Sequence, residues 1–414
     1  MFRFAASSMP VTLRRWGLVA MACSAVALSG CGGGDRAKEY VPDRVVTFGD
    51  ENSAIESYSS VALNASGGSA KTVYGLTYSV NSVGFGDAAF CTDQTATTLC
   101  ADADKLTGSI TFTKLSGNAY LLDAVNTGDT RNVVTLIDLG TADYATFDDA
   151  PMKLTINKLF LCYNNTIWVQ VVAHNFGKGY EAQCPLDRGG AENYAAYGAK
   201  VQQINDQIAA NRGRLGKGVL VTLMAGQNDI LEVYAAVRAT TLSEASAIAE
   251  LKLRAATMAR GVRDIISTGA KVALALTPDL GESPKAATGG EDAALLRRLT
   301  MAFNDALYIT ELGNTSGRSL AGVNPEPYTN TLTRSASYVY RTAVCDPASA
   351  IRPDGSTIGG GDADAGAKVK YCNGSTLVSG GNTSTYMWAD DVHFAPLGHS
   401  LIGAAAATRI TNQF

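Results

Sequence analysis

Few residues in this chain are suited to chemistry, and they lie far apart. Histidine occurs only at His174, His393 and His399. In "WADDVHF", Asp390 stands three residues before His393. That spacing lets a carboxylate orient the imidazole within one tight loop, as a general base working near neutral pH requires. His399, in "GHSLIGAAAA", reads as the start of a helix, and His174 falls inside another predicted helix; both are assigned structural roles. Asn228, in "AGQNDI", follows an apolar run. Its side-chain amide can donate to an oxyanion there, or it can simply close a strand-to-helix turn. Near the start, "VVTFGDENSAI" runs from a β-branched segment into Gly49-Asp50. A nucleophilic serine would be at home next, but the residue is Glu51 and the nearest serine is Ser53.

Such scattered residues need a scaffold that gathers their loops. Residues 44–50 read as a first strand. "GVLVTLMAG", residues 218–226, is continuously apolar and ends in Gly, as a parallel strand buried on both faces does. "AKVALALTPDLG" reads the same way and leaves through a Pro-containing loop. "TIWVQVVAHNF" looks helical. "AKVQQINDQIAANRG" sets Val201, Ile204 and Ile208 on one helical face, and "DAALLRRLTMAFNDALYITEL" does the same with Leu296, Leu299, Phe303 and Leu307. Thr241 and Glu244 have the spacing of a capping box for an Ala-rich helix reaching Ser267. Strands alternating with helices imply α/β architecture, a three-layer α/β/α sandwich on a parallel sheet. Sites in such sheets lie beyond the carboxyl ends of the strands. Gly49-Asp50-Glu51, the turn Gly226 to Asp229 and the loop after Leu276 all follow predicted strand ends.

Residues 60–160 differ. Thr, Ser, Gly, Val and Tyr dominate in short alternating runs, and the stretch reads as a β-rich insertion. Residues 343–385 read as a long Gly/Ser/Asp-rich loop. Within it "DADAG" resembles a calcium loop but lacks the third acid and the terminal Glu, so a solvated loop is the better reading. Both stretches are expected to shape the mouth of a pocket.

The chain has 414 residues and a formal charge of −4. Arg14 and Arg15 precede an apolar run from Trp16 to Leu28 that is short for a membrane span. It ends in "LSGC", which resembles a bacterial lipobox. Residues 1–30 are therefore expected to be a lipoprotein signal peptide, Cys31 the lipidated residue, and residues 31–43 a flexible tether. Loss of Arg3, Arg14 and Arg15, with no acid, moves the charge from −4 to −7. No basic patch argues for nucleic acid. Gly32 rather than Asp after the cysteine implies, by resemblance to Gram-negative lipoproteins, the outer membrane. Six further cysteines, Cys91, Cys100, Cys162, Cys184, Cys345 and Cys372, suit an exported protein with disulfides. Sequence neighbours suggest the pairs 91–100, 162–184 and 345–372. No phosphate loop, dinucleotide fingerprint or metal cluster is evident, so no cofactor is expected.

Gly49-Asp50, Gly226-x-Asn228-Asp229 and Asp390-x-x-His393 together resemble the ordered blocks of the GDSL, or SGNH, hydrolases. "NYAAYGAKV" resembles their second block, with Gly198 as its backbone donor and Tyr197 in place of a common neighbouring glycine. "TPDLGESP" and "LTMAFNDAL" resemble their connecting segments. The likeness spans about residues 44–58 and 165–414 and is nearest to exported bacterial esterase-like lipoproteins. It implies a flavodoxin-like sheet and hydrolysis of carboxylic or acetyl esters, with a small-molecule, glycan or lipid ester as ligand. It assigns Gly198 and Asn228 as oxyanion donors, His393 as base and Asp390 as its orienter. G-x-S-x-G is absent, so the α/β-hydrolase elbow is not supported.

The serine position of that pattern holds Glu51, and three readings compete. Ser53 could be a displaced nucleophile, although even a 1 Å misplacement can cost about 10²-fold. Glu51 could act itself, with His393, on water. Alternatively the centre is inactive, Glu51 occupies the oxyanion donors, and the cleft binds a ligand. For the anchor, Cys31→Ser is expected to release the protein from the membrane fraction. Unchanged partitioning in a detergent phase-separation assay would refute the lipid anchor.

Overall fold

The apolar runs become the strands of one sheet. The chain passes through β1 (Arg44–Gly49), an antiparallel pair β2 (Ile55–Ser60) and β3 (Lys71–Thr77), then β4 (Ala191–Asn193), β5 (Val219–Met224), β6 (Lys271–Ala275) and β7 (Leu320–Val323). The main sheet has five strands in the order β4-β1-β5-β6-β7, every neighbouring pair parallel. Counted within that sheet, the order is second, first, third, fourth, fifth. The winding direction reverses between β1 and β5, and the loops leaving those two strands diverge to open a crevice at their carboxyl ends. This computed structural model describes residues 40–60, 71–81, 165–184, 187–287, 293–328, 335, 337–350, 358–359, 366–374 and 376–414, with the backbone of strands between 88 and 160.

Helices cover both faces. On one face lie α2 (Val201–Ala210), α4 (Glu244–Ser267) and α5 (Ala293–Asn304). Their apolar stripes share a core with Val46, Phe48, Val221, Leu223, Val272 and Leu274. Leu296, Leu299, Phe303 and Leu307 are all fully buried, as their helical spacing predicts. On the other face α1 (Trp168–Asn175) packs against α6 (Pro396–Gln413). There the sheet carries a polar seam. Thr47 Oγ1 lies 2.6 Å from the Tyr180 hydroxyl and 2.7 Å from Thr222 Oγ1, all of it buried. Such a seam is tolerable because each hydroxyl finds a partner. On the first of these faces α3 (Gln227–Arg238), whose Ile230, Val233 and Tyr234 join the same core, starts directly behind β5.

One local expectation is corrected. Thr241 and Glu244 do not form a capping box. Thr241 Oγ1 instead donates to Ala236 O and closes the end of α3, and Ser243 caps α4 by accepting from Ser246 N at 3.1 Å. The stretch 343–385, read as a long loop, is tied down at several described points. It is framed by β8 (Val339–Ala343) and β9 (Tyr386–Trp388), which pair in parallel, and pinned by a Cys345–Cys372 disulfide. Asn81 also holds it, its backbone N–H donating to Cys372 O at 2.7 Å and its side-chain amide donating to Lys370 O at 2.8 Å. Most of "DADAG" lies outside the described residues, as do Cys31, the leader, Cys100 and Cys162. Cys184 is disulfide-bonded, with its partner beyond the described residues. Between residues 88 and 160 the described elements are strands, among them Gly108–Ser116 and Ala119–Asn126 in one antiparallel sheet. No helix among the described residues is long and apolar enough to cross a membrane.

The junction from β5 to α3 turns on Gly226, whose φ is +114°. A Cβ there would fall 2.3 Å from the Phe303 ring. Gly226→Ala therefore faces both a disfavoured backbone and a clash with a fully buried ring. It is expected to destabilise the fold by about 1–3 kcal/mol, read as a lower midpoint in denaturant unfolding. An unchanged midpoint would count against this packing.

Candidate functional site

Four segments deliver side chains to the carboxyl edge of the sheet, around the reversal point. The turn after β1 is closed by Ser53 N donating to Asp50 O at 3.0 Å, and it aims Glu51 inward. The loop after β4 presents Gly198 with φ +70°, and a Cβ there would meet nothing within 4 Å. Glycine is thus called for by the backbone angle rather than by crowding. This angle turns the Gly198 N–H toward Glu51. Asp229 steadies the same loop, its Oδ2 accepting from Val201 N at 3.0 Å at the start of α2. The first turn of α3 supplies Gln227 and Asn228. The loop before α6 supplies Asp390 and His393.

The contacts converge on one carboxylate. Glu51 Oε2 accepts from Gly198 N at 2.9 Å and from Asn228 Nδ2 at 2.8 Å. Glu51 Oε1 accepts from Gln227 Nε2 at 3.3 Å and stands 3.3 Å from His393 Nε2. His393 Nδ1 lies 2.8 Å from both Asp390 oxygens, and Asp390 Oδ1 also accepts from the backbone of Val392 and His393. Five of the six residues singled out from the sequence therefore meet: Glu51, Gly198, Asn228, Asp390 and His393.

Ser53 does not join them. It is fully buried, and its Oγ accepts from Trp168 Nε1 at 3.1 Å. Its backbone carbonyl accepts from Asn193 Nδ2 at 2.7 Å. Ser53 is tied into the packing between β1 and α1. His399 is buried in α6, where its Nδ1 accepts from Trp168 N at 3.3 Å, and burial lowers its pKa to about 3. His174 lies in α1 with its Nε2 3.0 Å from Asp187. Neither reaches the site.

Electrostatics follow from this geometry. Burial alone would favour a neutral His393. The Asp390 carboxylate, with help from Glu51, outweighs burial and raises His393 to about 10. Burial likewise pushes Glu51 upward, but His393 and then Asn228 prevail and lower it. Asp390 is lowered in the same way, by His393 against burial. Asp50 goes the other way: burial, then the adjacent Glu51 charge, pushes it well above the usual carboxylate range. Among the described residues its buried Oδ2 meets no hydrogen-bond donor that would hold a charge there. The resting centre is thus carboxylate, imidazolium, carboxylate.

Sequence reasoning missed Gln227, which is buried and bridges Glu51 to Asn52 by accepting from Asn52 Nδ2 at 3.1 Å. Its place beside Asn228, on a helix N-terminus facing the crevice, was the available signal. Missed too was the aromatic wall. Tyr78 stacks on Tyr197 with centroids 4.9 Å apart, and its ring lies 6.1 Å from that of His393. A cavity of about 800 Å³ opens onto Glu51, Asn228 and His393, with Tyr197, Tyr234, Cys345, Asp346, Lys368 and Cys372 among its walls. The 343–385 segment does therefore line a pocket. Among the described residues no group of His, Cys, Asp and Glu side chains could hold a metal ion.

No family model and no curated protein matches the chain. Among solved structures it is similar to a catalytic mutant of an acetylxylan esterase from Geobacillus stearothermophilus, at 14% identity and TM-score 0.29, covering 50% of this chain and 77% of that one. It is similar to an α/β hydrolase from the metagenome of Lake Arreo, Spain, at 14% identity and TM-score 0.28, covering 43% and 73%. A Bacillus subtilis protein, YXIM, aligns over 80% of this chain and 76% of its own length, at 14% identity and TM-score 0.28.

The raised pKa of His393 has a sign. Stability gained from the imidazolium is fully present below its unfolded value, about 6.5, and is lost as pH rises toward about 10. Denaturant unfolding of the wild type should show falling stability across that window, and His393→Gln should remove that part of the slope. A flat wild-type profile would count against a buried imidazolium.

Proposed function

We propose that this chain is an SGNH-type hydrolase scaffold that binds a ligand in its cleft without turning over an ester. The observation that carries this reading is the double contact on Glu51 Oε2, from Gly198 N and Asn228 Nδ2. In ester hydrolysis such donors stabilise charge that develops only in the transition state. Here a permanent charge already sits on them. Compared atom by atom with an acylated serine, Glu51 Cγ stands for the serine oxygen, Cδ for the acyl carbon and Oε2 for the carbonyl oxygen. The side chain is a built-in stand-in for the acyl-enzyme.

The proton chemistry agrees. A general base must accept a proton near neutral pH, and an imidazole raised to about 10 already carries one. The buried Ser53 hydroxyl is engaged by Trp168. Localisation in the cell envelope, through lipid on Cys31, is part of the same proposal and is supported by the lipobox-like "LSGC" and the disulfide at Cys345–Cys372.

Ester hydrolysis is the second reading, and one observation favours it. Glu51 Oε1 and His393 Nε2 lie 3.3 Å apart at the cavity floor, where a Glu–His pair could activate water. Assays on 4-nitrophenyl acetate separate the two. The wild type should be inert, and Glu51→Ser should gain turnover of about 10²-fold or more over it, because the donors are released and a hydroxyl is placed beside His393. Wild-type activity that disappears in Glu51→Gln would overturn the binding reading in favour of carboxylate chemistry. Activity lost only in Ser53→Ala would restore the displaced serine.

A further inference from the structure

We propose that Gln207 is a positioning residue of this site: its carboxamide, clamped on the Gly49 peptide, sets the Glu51 carboxylate against the Gly198 N–H. The clamp operates whether or not the cleft turns over a substrate.

The need for it lies in the sheet. β1 runs to Gly49, but its register with β4 ends at the pair Thr47 and Asn193. On that edge Phe48 and Gly49 extend past their neighbour. Backbone groups there need other partners where water is excluded. Gln207 reaches them from α2. Its Oε1 accepts from Gly49 N at 3.1 Å, and its Nε2 donates to Gly49 O at 3.1 Å. The carboxamide thus replaces the peptide group that a longer β4 would have offered. Reversing the amide would set N–H against N–H, so its orientation is fixed.

Both halves of the occupied donor hang from this one peptide. Gly49 leads directly into the turn that aims Glu51. Gly49 O also accepts from Ala196 N at 3.1 Å, in the loop that carries Gly198. The carboxylate and its backbone donor are therefore both referred to Gly49, and Gln207 fixes Gly49 to α2. Asn193 braces the far end. Its Nδ2 donates to Ser53 O at 2.7 Å, and its Oδ1 accepts from Ala195 N at 3.1 Å. Gln207 holds the entry of the turn and Asn193 its exit, with Glu51 between them. The bond from Gly198 N to Glu51 Oε2, at 2.9 Å, would stretch and tilt if the entry drifted, and such bonds weaken steeply with angle.

NMR reads that bond directly. Carbonyl-13C tyrosine combined with 15N-glycine isolates the peptide groups Tyr74–Gly75 and Tyr197–Gly198, and the second is assigned by its loss in Gly198→Ala. A charged acceptor draws the Gly198 amide proton downfield, and Glu51→Ala gives the position of the released N–H. Gln207→Leu should move the wild-type signal toward that position. Gln207→Glu should behave as a switch. A neutral carboxyl accepts and donates as the amide does, so its signal should match the wild type below about pH 4. At neutral pH the ionised side chain has no hydrogen for Gly49 O, and the signal should match Gln207→Leu. A Gly198 signal unchanged in Gln207→Leu overturns the proposal even if the unfolding midpoint falls, because that is what a purely structural residue gives. So does a Gln207→Glu signal that follows the wild type at both pH values, and this variant decides the matter if Gln207→Leu fails to fold. A wild-type signal already at the Glu51→Ala position would instead refute the occupied donors on which the binding reading rests, so the two failures are distinguishable.

Discussion

A buried carboxylate is costly unless its charge is answered, and Glu51, only 2% exposed, is the charge around which this site is assembled. Its four partners come from three places in the chain: the backbone after β4, two side chains at the start of α3, and an imidazole before α6. None of these segments is close to Glu51 in sequence. They meet because the sheet reverses its winding between β1 and β5, which sends the following loops to opposite sides of one crevice. The sheet supplies the place, and the carboxylate supplies a reason for the loops to hold their positions once there. Removing any one donor would leave an under-compensated charge with water excluded.

Charge balance then decides what the centre can do. Asp50 and Glu51 are adjacent acids in a buried turn, and two neighbouring anions there would repel. The conflict is resolved by letting one keep its proton: Asp50 is pushed upward by burial and by Glu51, while Glu51 is held ionised by His393. On the far side His393 faces Asp390. One cation therefore sits between two anions. In a hydrolase an aspartate-oriented histidine is useful because its imidazole can gain a proton during the reaction. With a second carboxylate on Nε2 that capacity is already spent. The same Asp–His pair that makes a base with a serine makes a closed ion triad with a glutamate.

The parts legible in the sequence were those written locally. The apolar runs that became β1, β5 and β6, the helical stripe through Leu296, Leu299, Phe303 and Leu307, and the Asp390-x-x-His393 pair each announce themselves within a few residues. The 345–372 disulfide was reachable from cysteine order. What was hidden depends on partners distant in sequence. Gln227 matters only because Glu51, 176 residues away, points at it. Ser53 looked available until Trp168, 115 residues on, took its hydroxyl. The cap at Ser243 displaced the Thr241–Glu244 spacing because Thr241 was already needed to end α3. Tyr78 and Tyr197 form one wall from two loops, and neither loop alone suggests it.

The cavity wall shows how such a site keeps its shape without regular structure. Among its described residues the segment between β8 and β9 has few backbone ladders, yet it supplies Cys345, Asp346, Lys368 and Cys372 to the cavity. Its disulfide spans 27 residues, a loop length for which chain-entropy models give about 3.5 kcal/mol of stabilisation. Placement matters more than that figure. Cys345 N donates to Ala389 O, next to Asp390, and Cys372 O accepts from Asn81 N, beyond the β3 end. The cross-link therefore joins the support of the histidine loop to the edge of the Tyr78 wall. Reducing it would spare the five-stranded sheet, whose core is built elsewhere, and loosen the cavity first. Floor and wall are thus fixed by separate devices, an ion triad and a covalent bridge, and the binding surface can vary between them without disturbing either.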